Sequence, residues 1–127
     1  MKILIGLMLG IVGVIHLLPL AGVLGAERLS ALYGIAFTEP NLVILMRHRA
    51  VLFGLLGLYL LYAAFQPAQQ RLALVAGWMS VASFLYIAHA TGGYNLAIAR
   101  VVWADVIAAF CLGIASVAML TVAKVSH

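Results

Sequence analysis

The 127-residue sequence has few charged residues, since Asp, Glu, Lys and Arg together make up only 8% and just three residues are acidic. Soluble globular domains carry about 25% charged residues, so the composition excludes an ordinary soluble domain. A concentrated basic segment is also missing, because the formal charge of +4 is spread along the chain. This distribution argues against nucleic acid as a partner.

Cysteine and catalytic motifs are scarce as well. Cys111 is the only cysteine, so neither an internal disulfide nor a thiolate metal cluster is available. The sequence contains no GxxxxGK[ST], GxGxxG or GxSxG motif, and the usual signatures of phosphate loops and acyl transfer are therefore missing. No two histidines share a predicted helix at metal-binding spacing, so we predict no metal site. A haem held by two histidines remains an alternative.

Long apolar runs dominate what is present, and 67% of the residues are hydrophobic. A transmembrane helix needs about 20 apolar residues. We therefore predict an all-α protein, an integral membrane four-helix bundle with antiparallel spans and short loops, in a single transmembrane domain over residues 1–127. The predicted spans cover about 3–25, 42–65, 72–90 and 96–123. The first run could also be a cleaved signal peptide, but it is too long for a signal core, and we expect a retained helix.

Four spans place both termini on one side of the bilayer. Lys2, Arg71 and Lys124 lie on that side with no acid, which favours termini in the cytoplasm. The longest loop lies on the other side. Within it, residues 27–33 could form a short interfacial helix whose Leu29, Leu32 and Tyr33 face the bilayer and which ends at Gly34. Residues 38–41, Thr-Glu-Pro-Asn, form a helix-start signal.

The second span contains three consecutive cationic residues, at positions 47–49. At about 1.5 Å per residue they lie roughly 9 Å inside the helix, where a charge needs a partner or a polar cavity. Arg47 shares a face with Gly54 and Gly57, and small residues mark helix contacts in membranes. We therefore expect Arg47 to point into the bundle, where Asp105 is its candidate partner; the sequence leaves open whether the two residues meet. Arg49 is expected to extend towards the lipid headgroups.

Most polar residues fall at this same end of the four spans. We predict a polar ligand-binding pocket there, formed by Arg47, His48, Asp105, Arg100, His16, His89 and Asn95. Close helix packing is predicted at Gly6, Gly10, Gly13, Gly54 and Gly57.

The residues at 32–34 (Leu-Tyr-Gly), 47–49 (Arg-His-Arg) and 100–105 (Arg-Val-Val-Trp-Ala-Asp), together with Gly54 and Gly57, resemble the DoxX-like group of small bacterial four-span membrane proteins. The resemblance implies a compact bundle in the bacterial cytoplasmic (inner) membrane. Some relatives are associated with quinone-linked oxidoreductase complexes. By this analogy the residues to test are Arg47, Gly54, Arg100 and Asp105.

The EXPERA group of sterol isomerases and sterol-binding proteins is similar in its four-span plan but more distant. Its members place acidic residues inside the bundle against a cationic ligand. This chain has only Asp105 clearly within a span, together with Arg47. That difference argues against an isomerase.

Three functions are compatible with these patterns. The first is a membrane protein, without enzymatic activity, whose end pocket binds a small lipophilic or amphipathic ligand such as a quinone or a lipid, or docks a partner membrane complex. The second is a membrane-embedded acid–base enzyme in which Asp105 or His16 moves a proton and Arg47 stabilises negative charge. The third is a structural homo-oligomer built through Gly6 and Gly10, with Arg47 and Asp105 fixing the helix register.

Overall fold

The structure, a computed structural model, describes residues 1–125, and every regular element within them is helical. The elements, in chain order, are α1 (Lys2–Leu17), which continues as a 3-10 segment (Leu18–Leu24), α2 (Ala26–Tyr33), α3 (Pro40–Ala64), a 3-10 turn (Pro67–Gln69), α4 (Gln70–Thr91) and α5 (Leu96–Val125). The predicted all-α class is confirmed.

Four stretches are long and apolar enough to cross a membrane: Lys2–Leu24, Pro40–Ala64, Pro67–Thr91 and Leu96–Val125. They correspond to the four predicted spans and differ from them by a few residues at each end. Exposed large apolar side chains cover all four, including Leu7, Leu55, Met79 and Phe110. By length and composition, these four apolar helices could cross a membrane.

Glycines allow α1 and α3 to approach closely. A Cβ atom added to Gly13 would lie 3.0 Å from the carbonyl oxygen of Gly57, and one added to Gly6 would collide with the carbonyl oxygen of Ala64. Gly57 is equally constrained, because its Cβ would lie 2.8 Å from the carbonyl oxygen of Gly13. A Cβ on Gly10, by contrast, would meet nothing within 4 Å.

The expected smooth face of Gly6, Gly10 and Gly13 is thus divided between two environments. Gly6 and Gly13 pack inside the protomer, and only Gly10 faces outward. The close approach at Gly6 is made by α3 of the same chain, and an oligomer through Gly6 and Gly10 stays a hypothesis. Gly54 is also buried, and its Cβ would lie 2.6 Å from Leu20 of the 3-10 segment.

A second, smaller apolar cluster attaches α2 to the rest of the bundle. Leu29, Tyr33 and Phe37 are buried there, and they pack against the first turns of α3 and α5. The expectation that Leu29 and Tyr33 face the bilayer is therefore wrong. Their side chains cover the protein's own apolar surface, which makes α2 a cap across one end of the bundle.

The ends of α2 and α3 follow the predicted local signals. Gly34 ends α2 in the left-handed conformation, with φ +69°, which a glycine adopts without steric cost. Glu39 starts α3, where its carboxylate accepts a 2.9 Å hydrogen bond from the backbone N–H of Leu42, and Pro40 follows in the first turn. These ends fix the position of α2 relative to the cationic residues of α3.

Candidate functional site

A cavity of about 270 Å³ lies between α2 and the neighbouring ends of the long helices. Residues from all five α-helices and from the 3-10 segment line it. Most of the wall is apolar, and the polar side chains converge from different helices. Those polar side chains are His16, Tyr33, Arg49, Arg100 and Asp105.

Arg49 is fixed in the wall of the cavity by two aromatic residues. Its Nη1 donates a 2.6 Å hydrogen bond to the hydroxyl of Tyr33 on α2. Its guanidinium carbon lies 4.5 Å from the ring centroid of Phe53, one turn further along α3. A guanidinium has five N–H donors, and the described residues accept only this one hydrogen bond from Arg49. The remaining donors are available to a bound molecule.

Asp105 on α5 is almost completely buried, with 7% of its surface exposed, and it lines the same cavity. Within residues 1–125 its carboxylate makes no hydrogen bond and no ion pair. Arg49 is close enough to attract it electrostatically without contacting it. Because a carboxylate without a partner in a mostly apolar cavity is costly, Asp105 can bind a donor that enters the cavity.

His16 joins α1 to α4 beside the cavity. Its Nδ1 donates to the carbonyl oxygen of Val12 at 2.9 Å, and its Nε2 lies 2.9 Å from the hydroxyl of Ser80. A carbonyl oxygen can only accept, so Nδ1 carries the proton, and in the neutral ring Nε2 accepts from Ser80. The ring also packs on Phe53, with centroids 5.5 Å apart. Neither nitrogen could ligate a haem iron without losing one of these bonds.

Arg100 lies at the rim of the cavity on α5. Its side chain is exposed, and no residue of the described chain hydrogen-bonds to it. It precedes Asp105 by five residues, or roughly 7.5 Å of helix rise. The cavity therefore has a permanent positive charge at its rim, a second one on α3 and a buried carboxylate.

Arg47 lies elsewhere, and the expectation that it points into the bundle is wrong. Its side chain is exposed, does not line the cavity and donates through Nε to the carbonyl oxygen of Val23 at 2.8 Å. That oxygen belongs to the last turn of the 3-10 segment, where carbonyl groups lack a partner within the helix. Arg47 consequently caps a helix end and does not form the expected pair with Asp105.

The other predicted pocket residues also lie outside the cavity. His48 and His89 are exposed and are not among its lining residues. Asn95 connects α2 to α5: its Oδ1 accepts from the N–H of Ile98 at 2.8 Å, and its Nδ2 donates to the carbonyl oxygen of Tyr33 at 2.8 Å. The structure thus brings together His16, Arg100 and Asp105, while Arg47, His48, His89 and Asn95 remain apart from them.

For two residues of the cavity, Arg49 and Tyr33, the sequence predicts contact with the lipid bilayer instead. A sequence signal for Arg49 does exist, because Phe53 and Leu60 follow it by four and eleven residues and thus share its helix face. Leu60 is completely buried. If the large apolar residues of α3 are taken to mark its buried face, as its glycines are, the sequence predicts that Arg49 faces inward. Tyr33 offers no comparable signal, since its position depends on how α2 folds back.

Across residues 1–125, no group of three or more His, Cys, Asp or Glu side chains comes together in a way that could hold a metal ion. The cavity polar groups belong to different chemical types and suit the recognition of an organic headgroup. Comparison with protein-family models, with curated proteins and with solved structures finds no match for this chain.

Proposed function

We propose that this chain is an antiparallel four-helix membrane protein that binds one amphipathic molecule, with the headgroup of that molecule inside the cavity beside Arg49 and Asp105. The observation that carries the proposal is the separation of these two groups. Both line a cavity of about 270 Å³, both have unused hydrogen-bonding capacity, and they do not pair with each other.

The charges support a ligand more strongly than a structural clamp. A clamp that fixes helix register requires a closed ion pair, and the pair expected for that role, Arg47 with Asp105, does not form. Arg49 is held by Tyr33 and Phe53 instead of by a carboxylate. Groups fixed in advance, with their donors and acceptors free, are the arrangement that lowers the entropic cost of binding.

The apolar surroundings support an amphipathic ligand. Ile15 lines the cavity and also an open groove of about 710 Å³ along α1 and the end of α3. The side chains that line the groove are all apolar, and Gly10 is among its lining residues. From Ile3 to Ile15 it follows roughly 18 Å of helix, enough for a long stretch of hydrocarbon chain. A quinone and a lipid each combine such a chain with a polar head.

The test is native mass spectrometry of protein extracted gently from its own membrane. Wild type is compared with Arg49→Gln and with a matched control, Arg47→Gln, which alters an exposed arginine two residues away. We expect wild type and the control to carry the same bound molecule and Arg49→Gln to lose it. All three proteins should fold, and Arg49→Gln should unfold at a moderately lower temperature, because Arg49 contributes one hydrogen bond and two cation–π contacts to the fold.

Two results would count against binding. One is a wild-type protein that carries no molecule after extraction from several membranes. The other is an Arg49→Gln protein that retains the same molecule in the same amount. In either case the docking of a partner membrane complex becomes the better explanation for the polar end of the bundle.

A second candidate function, acid–base catalysis on a lipophilic substrate, is favoured by the presence of His16 and Asp105 in one cavity. An enzyme and a carrier differ in what their inactive variants contain. If Asp105→Asn accumulates a molecule that differs in mass or in chromatographic retention from that bound to wild type, the cavity performs chemistry. If the molecule is identical by both measures in the two proteins, catalysis is not supported and binding is the better explanation.

The cellular placement that we propose is the bacterial cytoplasmic membrane with both termini in the cytoplasm. Support for this orientation comes from the basic residues at one end, Lys2, Arg71 and Lys124, which lie near the termini or the short turn. The four arginines at the other end, at positions 28, 47, 49 and 100, lie within helices instead of free loops and count less towards orientation. The cavity would then open on the outer side of the membrane. Membership of the DoxX-like group is part of the same proposal.

A further inference from the structure

The two arginines of the cavity are placed to bind one anionic group. Arg49 lies on α3 and Arg100 on α5, and both line the cavity without a carboxylate partner. Guanidinium groups remain charged in proteins, and their planar fork matches phosphate oxygens. The headgroup that satisfies both residues is therefore anionic on the side that faces them.

Asp105 requires the opposite chemistry. An ionised carboxylate can only accept hydrogen bonds. Asp105 is buried, with 7% of the residue's surface exposed, and its carboxylate lines the cavity without a hydrogen-bond partner among the described residues. A headgroup that offers acceptors alone, as a quinone ring does, would satisfy the arginines and leave this carboxylate without a partner. The headgroup that satisfies all three charges must also carry a hydrogen-bond donor, best supplied by a cation.

On the basis of the proposed function, we propose that the ligand has a zwitterionic headgroup. Its phosphate binds Arg49 and Arg100, and its primary ammonium binds Asp105. Phosphatidylethanolamine is the simplest membrane lipid with this chemistry. The cavity of about 270 Å³ lies just below the roughly 300 Å³ at which pockets for drug-sized ligands begin, so it suits a headgroup such as phosphoethanolamine and not a whole lipid. The acyl chains extend from the cavity past Ile15 into the groove along α1.

Phosphatidylcholine provides the matched comparison, because it has the same phosphate and the same net charge but its quaternary nitrogen has no N–H donor. Purified full-length protein in detergent is titrated with each lipid, with identical acyl chains, and bound lipid is measured by native mass spectrometry. A charge-assisted hydrogen bond corresponds to about tenfold or more in affinity. We expect wild type to bind phosphatidylethanolamine at least tenfold more tightly than phosphatidylcholine.

Two variants test whether the carboxylate of Asp105 causes this preference. Asp105→Asn should bind the two lipids equally, whereas Glu27→Gln, which removes an exposed acid on α2, should keep the wild-type preference. If Asp105→Asn does not fold, the wild-type comparison still decides, and Asp105→Glu, which keeps the carboxylate, should retain a preference.

Equal binding of both lipids by wild type would overturn the zwitterionic headgroup, and so would a stronger preference for phosphatidylglycerol, which has the phosphate but no ammonium. Either result leaves the proposed function standing, provided that Arg49→Gln weakens binding of every lipid. Failure of all lipids and of the co-purified molecule, with no effect of Arg49→Gln, would reject the binding function itself.

Discussion

Arg49 of α3 donates a 2.6 Å hydrogen bond to the hydroxyl of Tyr33, the last residue of α2. This bond crosses from the helix that contains the cationic residues to the short helix that covers the cavity. It also helps to orient the guanidinium, whose central carbon lies 4.5 Å from the ring centroid of Phe53 and 5.5 Å from that of Tyr33. The hydroxyl of Tyr33 is therefore expected to matter for binding more than for folding.

Tyr33→Phe tests that expectation. The ring stays in its apolar cluster, so the free energy of unfolding should fall by about 1.5 kcal/mol, the lower end of the range for a hydrogen bond to a charged group. Retention of the bound molecule should decrease, because the guanidinium loses its fixed orientation. Thermal unfolding and native mass spectrometry measure the two effects. Tyr86→Phe, which alters an exposed ring on α4, is the control and should change neither.

The hydrogen bond between His16 and Ser80 should couple α1 to α4. In a double-mutant cycle of His16→Leu and Ser80→Ala, the two changes should be non-additive by about 0.6 kcal/mol, the mean measured for side-chain hydrogen bonds between membrane helices. The free energies of unfolding in mixed micelles supply the cycle. A cycle that pairs His16→Leu with Ser116→Ala, whose serine bonds to Trp78 instead, should be additive.

Gly13 and Gly10 should respond very differently to the same substitution. Gly13→Leu drives a side chain into the backbone of Gly57, so the free energy of unfolding should fall by about 2 kcal/mol or more. Gly10→Leu meets open space and should change it by no more than about 0.5 kcal/mol. Similar losses at both positions would mean that Gly10 also has a packing partner, such as a second copy of the chain.

The sequence predicts the helices of this protein better than it predicts their rotation. Length and apolarity set the four spans, and Pro40 and Gly34 set helix ends, because these signals act within a few residues. Signals of this kind do not determine which of Arg47 and Arg49 faces the cavity. Both stand at the edges of the buried face of α3, and the choice between them depends on the ring of Tyr33, which reaches Arg49 only after α2 folds back over the bundle.

The positions of the other polar residues likewise depend on how the helices pack. His16, Arg100 and Asp105 reach one cavity because α1 and α5 are neighbours, and no periodicity encodes which helices are adjacent. Asn95 was expected in the pocket on the basis of its position near one end of the spans. It caps α5 and bonds to the end of α2 instead, a role that its place just before the helix start also fits.

Membrane orientation can be measured in a variant without native cysteine, Cys111→Ala, since Cys111 is the only cysteine. New cysteines are placed at Ala36, between α2 and α3, and at Ala68, between α3 and α4, both of which are exposed. With cytoplasmic termini, a membrane-impermeant maleimide should label Ala36→Cys in intact spheroplasts and label Ala68→Cys only after lysis. The reverse pattern would place the termini outside.

The groove along α1 predicts an effect on binding that is separate from the cavity. Gly10 lies in the groove, and a side chain there would contact nothing else in the described part of the protein. Gly10→Phe should therefore leave the thermal unfolding temperature nearly unchanged while it occupies the path that we propose for the ligand's apolar chain.

The matched control is Gly113→Phe, because Gly113 is equally open but lies in a different groove, beside α5. Native mass spectrometry should show less bound molecule in Gly10→Phe than in the control. Equal retention in both would place the apolar chain elsewhere, and the continuity through Ile15 would then have no role in binding.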